Sequence, residues 1–180
     1  MVLMALDTCM RYGEIRLLRW FQLDSNNGQL RVGKSKTVPG DGRIIPISKR
    51  LRTVLEFWAE LFPQRKSDHF VFPFEKCGGL GKREVFGFNG GVAYASDPTK
   101  PMGDLKEAWE AAKKRAGVVL NPNVEKPEAL QCRFHDLRHT GCTRMLEAGI
   151  PFSVVAVIMG WSPSTAVRMA KRYRHMGHAT

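Results

Sequence analysis

Carboxylates are scarce in this 180-residue chain, and after Glu147 they run out entirely. Asp and Glu number 17 against 28 Lys and Arg, leaving a formal charge of +11. No cluster of acids is on offer for a hard divalent cation, and a polyanionic partner is called for. Apolar residues never run long enough to span a bilayer, which argues against a membrane role. Cysteine is limited to Cys9, Cys77, Cys132 and Cys142, and the apolar start from Met1 to Leu6 is cut short by Asp7 and Arg11. Neither a secretory leader nor a disulfide framework is expected, and reduced thiols in a cytoplasmic setting are. Tyrosine is rarer still: Tyr12, Tyr94 and Tyr173 are the only three.

What is present is basic charge in blocks. Between Arg31 and Arg52 lie Lys34, Lys36, Arg43, Lys49 and Arg50, with Asp41 the one acid, and Arg168, Lys171, Arg172 and Arg174 crowd the end. Arg43, Lys49, Arg168, Lys171 and Arg172 are therefore candidate contacts to the phosphates of a nucleic acid. Around these blocks the pattern predicts a mixed α/β fold, mainly helical, with a small antiparallel sheet in one domain over 1–180. Strands are expected at Trp20–Leu23, Gln29–Val32 and Arg43–Ile47, separated by Asn26-Asn27-Gly28 and Pro39-Gly40-Asp41-Gly42 turns. Short helices precede them. Ser48 is placed to cap a helix running to Leu61, with Leu51, Val54, Leu55 and Trp58 on its apolar face. Further helices are expected at Asp104–Ala116, His135–Glu147, Phe152–Met159 and Thr165–His175, with Gly149 and Pro151 separating the second and third. Residues 75–101 lack periodicity and read as a long loop or added hairpin.

Two arginines, an imidazole and a phenol stand out: Arg11, His135, Arg138 and Tyr173. A phosphodiester under attack gathers negative charge on its non-bridging oxygens, which two guanidinium forks can clamp while a tyrosine hydroxyl attacks. A phenol with a pKa of roughly 10 needs a base or a cationic field to do so, and the departing deoxyribose oxygen needs a proton. Each residue taken singly also has an ordinary structural explanation. Lys36 alone reads as a solvated lysine, and Trp161 as a core aromatic.

In order along the chain, Thr8-Cys9-Met10-Arg11-Tyr12-Gly13-Glu14-Ile15, Ser35-Lys36-Thr37, Phe134-His135-Asp136-Leu137-Arg138-His139-Thr140, Met159-Gly160-Trp161 and Arg172-Tyr173-Arg174-His175 resemble the motifs of the tyrosine recombinases, the phage integrase family. The resemblance implies a catalytic domain of a phage or mobile-element integrase that cuts and rejoins DNA through a 3′-phosphotyrosyl intermediate. It implies that Arg11 and Arg138 hold the scissile phosphate, that His135 and Trp161 add donors, and that Tyr173 is the nucleophile. Lys36 is then the general acid, and Glu14 and His139 support the site. Neither cofactor nor metal is implied. Self-association as a tetramer on DNA is, along with an N-terminal core-binding domain for which this chain has no room. Two departures follow: Cys9 stands where relatives carry glycine, and the interval from Trp161 to Tyr173 is longer than usual, so an extra turn or local loop is expected there.

Two other sites are rejected. Cys132, His135, His139 and Cys142 have a zinc-like spacing, but four ligands on one helical face cannot surround a tetrahedral ion. Gly81-Lys82-Arg83 lacks the remaining residues of a phosphate-binding loop. Two alternatives in function stay open: DNA relaxation of the type IB topoisomerase kind, and a catalytically silent DNA-binding module.

Overall fold

The chain opens on two short helices, α1 (Val2–Thr8) and α2 (Tyr12–Arg16), in a computed structural model that describes residues 1–76, 95–120, 123–126 and 128–173. α1 stops where Cys9 enters the left-handed region at φ 51°, the one non-glycine to do so among the described residues. Such a conformation costs an L-residue roughly 1–3 kcal/mol unless its surroundings impose it. α2 starts where the Glu14 carboxylate folds back onto the Arg11 backbone N–H at 2.9 Å, satisfying a donor that the helix start leaves unpaired.

The strand expected at Trp20–Leu23 is instead a 3-10 turn, Trp20–Gln22, followed by the short strand β1 (Leu23–Asp24). The Gln22 amide accepts from the Arg19 N–H and donates to the Arg31 carbonyl, both at 2.8 Å. It thereby satisfies backbone groups that a longer ladder would have paired. β1, β2 (Gln29–Arg31) and β3 (Ile44–Pro46) form an antiparallel sheet in that order, with Leu30 opposite both Leu23 and Ile45. Gly28 and Gly42 take the positive φ that their turns require.

α3 (Lys49–Glu60) begins where the Ser48 hydroxyl accepts the Leu51 N–H at 3.1 Å. Leu51 and Leu55 are buried, but Val54, at the edge of their stripe, is 40% exposed, so the inward face is narrower than the sequence predicts. Asp7 ties this helix to α1 by accepting from the Ser48 hydroxyl at 2.6 Å and pairing with Arg50. β4 (Pro73–Lys76) and β5 (Ala95–Pro101) pair antiparallel. The segment expected as a loop or hairpin over 75–101 thus has paired ends, and the rest of it, with Gly81-Lys82-Arg83, falls outside the described residues.

α4 (Lys106–Leu120) starts later than its periodicity suggests, because Asp104 accepts the Lys106 N–H at 3.0 Å. α5 (Phe134–Glu147) and α6 (Phe152–Met159) are separated by Gly149, at φ 78°, and Pro151. α7 (Pro163–Tyr173) begins earlier than Thr165: Ser162 accepts the Thr165 N–H at 3.4 Å and Pro163 fills the first helical position. The long interval before Tyr173 is therefore continuous helix rather than a local loop, and its expected continuation to His175 falls outside the described residues.

Met4, Ile15, Leu18, Leu30, Ile45, Leu51, Val155 and Met159 share one core, which binds α1, α2, α3, α6 and the sheet into a single mixed α/β unit. α5 joins by close approach. A Cβ on Gly141 would stand 2.2 Å from the Leu6 carbonyl oxygen and 2.7 Å from the Cys9 sulfur, so only glycine lets α5 lie this near α1. Among the described residues no helix is long and apolar enough to cross a membrane.

Candidate active site

Glu14, with a side chain only 3% exposed, is the junction of the site. Its Oε1 accepts from Arg11 Nη1 at 2.9 Å, Ser35 Oγ at 2.6 Å and Arg43 Nη1 at 3.1 Å, and its Oε2 accepts from Arg43 Nη2 at 2.7 Å. Burial pushes this carboxyl up, but hydrogen bonds from Arg43, Ser35 and the Arg11 backbone outweigh it and leave the pKa at about 2. Glu14 is therefore an anion at neutral pH.

Arg43 is not the DNA contact that its place in a basic stretch predicts. It is 6% exposed and spends its remaining donors on the Ile158 and Gly40 carbonyls, both at 2.8 Å. Without it Glu14 would be a buried charge facing only Arg11, and an uncompensated buried charge is strongly destabilising. The signal was present in the sequence. Period-two alternation puts Arg43 on the face of Ile45, which is buried, and Ile47, which packs on the core.

Arg138, on α5 and 3% exposed, donates to the Cys9 carbonyl at the left-handed end of α1 and to the Met159 carbonyl in the last turn of α6. Helix ends leave such carbonyls unpaired and attract cations. None of the salt bridges among the described residues includes Arg138. Burial first, then the charges of Arg11 and Arg43, bring its pKa down to about 10. Three guanidiniums thus gather around one carboxylate, and the surplus positive charge lies beneath the surface.

His135 and His139 are neighbours on α5, with rings edge-on at 5.1 Å. Burial, then His139, Arg138 and Arg11, hold His135 below the usual histidine value, and burial and Arg172 do the same to His139. Both imidazoles are mainly neutral at pH 7 and able to accept a proton. Tyr173 packs against the core from the end of α7, and its hydroxyl lies beside Cys142 and Thr143, about one turn beyond Arg138 along α5. Burial and then Cys142 raise the phenol's pKa, against a smaller opposing effect of Arg172, so it stays protonated at neutral pH. Thr143, His139 and Arg172 border an open hollow of about 550 Å³.

Trp161 follows Gly160, which ends α6 at φ 60°, and its ring tilts against Phe152 at 5.8 Å. A Cβ on Gly160 would lie 2.8 Å from the Gly40 Cα, so the turn between β2 and β3 sits directly on the end of α6. Lys36 belongs to that turn and is exposed. The fold therefore brings Arg11, Glu14, Arg138 and His135 together, with Lys36, Trp161 and Tyr173 on adjoining segments. Lys49, Arg168, Lys171 and Arg172 are all exposed. Among the described residues no three His, Cys, Asp or Glu side chains converge as metal ligands. Ser35 escaped attention as a residue with its own contacts, because a serine beside a lysine carries no pattern of its own.

Three known proteins are similar to this chain. The integrase of Salmonella phage P22 is 35% identical over 94 residues, covering 46% of this chain and 21% of its own. A shufflon-specific DNA recombinase of Escherichia coli is 27% identical over 174 residues, covering 96% of this chain and 33% of its own. The chain thus spans a fifth to a third of the length of these curated relatives. In three dimensions it matches the Tn1549 transposon integrase in complex with circular-intermediate DNA at a TM-score of 0.60 and 21% identity, over 99% of this chain and 55% of that one. That likeness shows the fold. The pattern shared across the phage integrase family runs from residue 1 to 179, through every segment that builds the site, and on that ground the chain belongs to the phage integrase family.

Proposed function

We propose that this chain is the catalytic domain of a site-specific DNA recombinase or integrase, which cuts and rejoins double-stranded DNA through a 3′-phosphotyrosyl intermediate. The observation that carries this reading is Arg138: a buried cation held by carbonyls, beside Arg11, with a surplus of positive charge that a phosphodiester would neutralise. In the proposed step the Tyr173 oxygen attacks phosphorus and its proton passes to neutral His135. The bond from phosphorus to the 5′-oxygen breaks, and the Lys36 ammonium supplies that oxygen with a proton. Arg11 and Arg138 hold the non-bridging oxygens, and Trp161 and His139 line the approach. Rejoining reverses these transfers, so the phosphotyrosyl bond conserves the energy of the broken strand. Exposed Lys49, Arg168, Lys171 and Arg172 would contact the backbone, and the working enzyme is a tetramer on DNA in the cytoplasm.

The test is a pool of random-sequence duplexes carrying 5′-bridging phosphorothiolate linkages, whose thiolate leaves without a proton and does not return efficiently. A denaturant-resistant protein–DNA adduct is expected in EDTA, because arginines do the work that magnesium does elsewhere. Its yield should persist somewhat below pH 6.5, since the lowered pKa of His135 keeps it neutral there, and fall with further acidification. Folded, DNA-bound protein that yields no adduct would leave only the silent binding module. Plasmid relaxation without strand exchange would assign the topoisomerase activity instead.

A further inference from the structure

Lys36 is the exposed member of a loop that is otherwise tied down. On one side, Ser35 Oγ donates to Glu14 Oε1 at 2.6 Å and accepts from Arg11 Nη1 at 3.0 Å, while the Ser35 N–H donates to Asp41. On the other side, Thr37 Oγ1 donates to the Gly160 carbonyl at 3.3 Å. From beneath, Arg43 holds the Gly40 carbonyl. The loop is so close around Ser35 that a Cβ on Gly40 would lie 2.4 Å from the Ser35 oxygen.

A hydroxyl has one donor and can accept at the same time. Ser35 uses both functions: it accepts from Arg11, a member of the phosphate clamp, and donates to Glu14, the carboxylate that holds Arg11. We infer that Ser35 is a positioning residue that sets Lys36 in register with the phosphate clamp, so that the ammonium meets the leaving 5′-oxygen. This rests on the recombinase reading and on Lys36 as the proton donor. A loop lysine has four rotatable side-chain bonds, and fixing the backbone at its neighbour is the economical way to limit where its ammonium can go. Thr37 holds the far side, but its partner is a helix-end carbonyl rather than a member of the clamp. Arg43 links Gly40 to Glu14 at the far end of the loop, but the direct tie from the residue beside Lys36 to Arg11 and Glu14 is Ser35.

The test compares single-turnover cleavage of one duplex, recovered from the adducted pool, with either oxygen or sulfur at the 5′-bridging position. Ser35→Ala should slow the oxygen substrate on the order of ten- to a hundredfold, at or below the lower end of what a general acid contributes. The sulfur substrate, whose thiolate leaves without a proton, should be cut at nearly the parental rate. Ser35→Thr keeps the hydroxyl and should restore the oxygen substrate. Gly40→Ala, whose methyl would press on the Ser35 side chain and, less closely, on Thr37 Oγ1, should also slow the oxygen substrate more than the sulfur one. Equal slowing of both substrates would mean that Ser35 acts through Arg11 on phosphate binding, and no slowing would mean that it positions nothing; either overturns the inference. Lys36→Ala separates the layers of the argument. If it too is slowed equally on oxygen and sulfur, the lysine is not the acid and the underlying reading fails, whereas a parent that forms no adduct sinks the recombinase reading altogether.

Discussion

Tyr173→Phe is expected to abolish the denaturant-resistant adduct while leaving folding and DNA binding close to parental. The phenol is partly buried and its ring packs on the core, and phenylalanine keeps that packing. What disappears is one oxygen beside Cys142 and Thr143, and the loss of one such polar contact is worth about 0.5–1.5 kcal/mol of stability. The covalent step, in contrast, loses the atom that forms its bond in the proposed mechanism. Tyr12 is a poor substitute. Its hydroxyl donates to the Gly103 carbonyl at 3.0 Å and accepts the Leu105 N–H at 3.1 Å, so it is used up in seating the segment that leads into α4. Adduct yield on the phosphorothiolate duplex, read against a filter-binding control, decides the matter. A persisting adduct would show that another residue attacks the phosphate.

Arg138→Ala should damage binding, cleavage and stability together. Removing one preorganised donor to a developing oxyanion typically lowers the rate by about 10²- to 10³-fold, and in the proposed mechanism the same side chain also contacts the phosphate before attack. For stability two effects oppose each other. Deleting the guanidinium relieves repulsion from Arg11 and Arg43, but it strands the Cys9 and Met159 carbonyls and leaves a buried void. Stranded buried polar groups cost roughly 1–3 kcal/mol each, and large-to-alanine changes in cores cost about 2–5 kcal/mol. The net is expected to be destabilising. Inorganic phosphate should raise the melting temperature of the parent more than that of the variant, because a ligand that fills a charged vacancy stabilises only the protein that has one. Equal shifts would mean that phosphate binds elsewhere.

The parts of this structure that could be read from sequence are those where a local rule and the global packing agree. Ser48 caps α3 because its hydroxyl has a helix to begin, and Leu51 and Leu55 recur at the spacing that one buried face demands. Gly149 and Pro151 bracket the break before α6 for equally local reasons. Misreadings arose where a side chain does the work of backbone. Gln22 satisfies two backbone groups and turns a predicted strand into a 3-10 turn. Arg43 alternates onto the inward face of its strand, but its partner Glu14 is distant in sequence and only the fold brings the two together. At the site, arginine and histidine could be singled out because their chemistry is rare in combination. The roles of Ser35 and of the Cys9 and Met159 carbonyls could not, since hydrogen bonds across the fold leave no periodic trace.

Cys9 combines a left-handed backbone, full burial against Gly141 and a thiol that burial drives up to about 12. A thiol so placed cannot be alkylated while α1 and α5 stay in contact, because neither the reagent nor the thiolate it requires is available. Labelling of Cys9 therefore measures excursions in which the two helices part, and its rate converts to an opening free energy for that contact alone. Its carbonyl is held by Arg138, so the same excursions dismantle one wall of the proposed phosphate site. The thiol thus works as an intrinsic clock for how long the site stays assembled, with the less buried Cys132 as the reference.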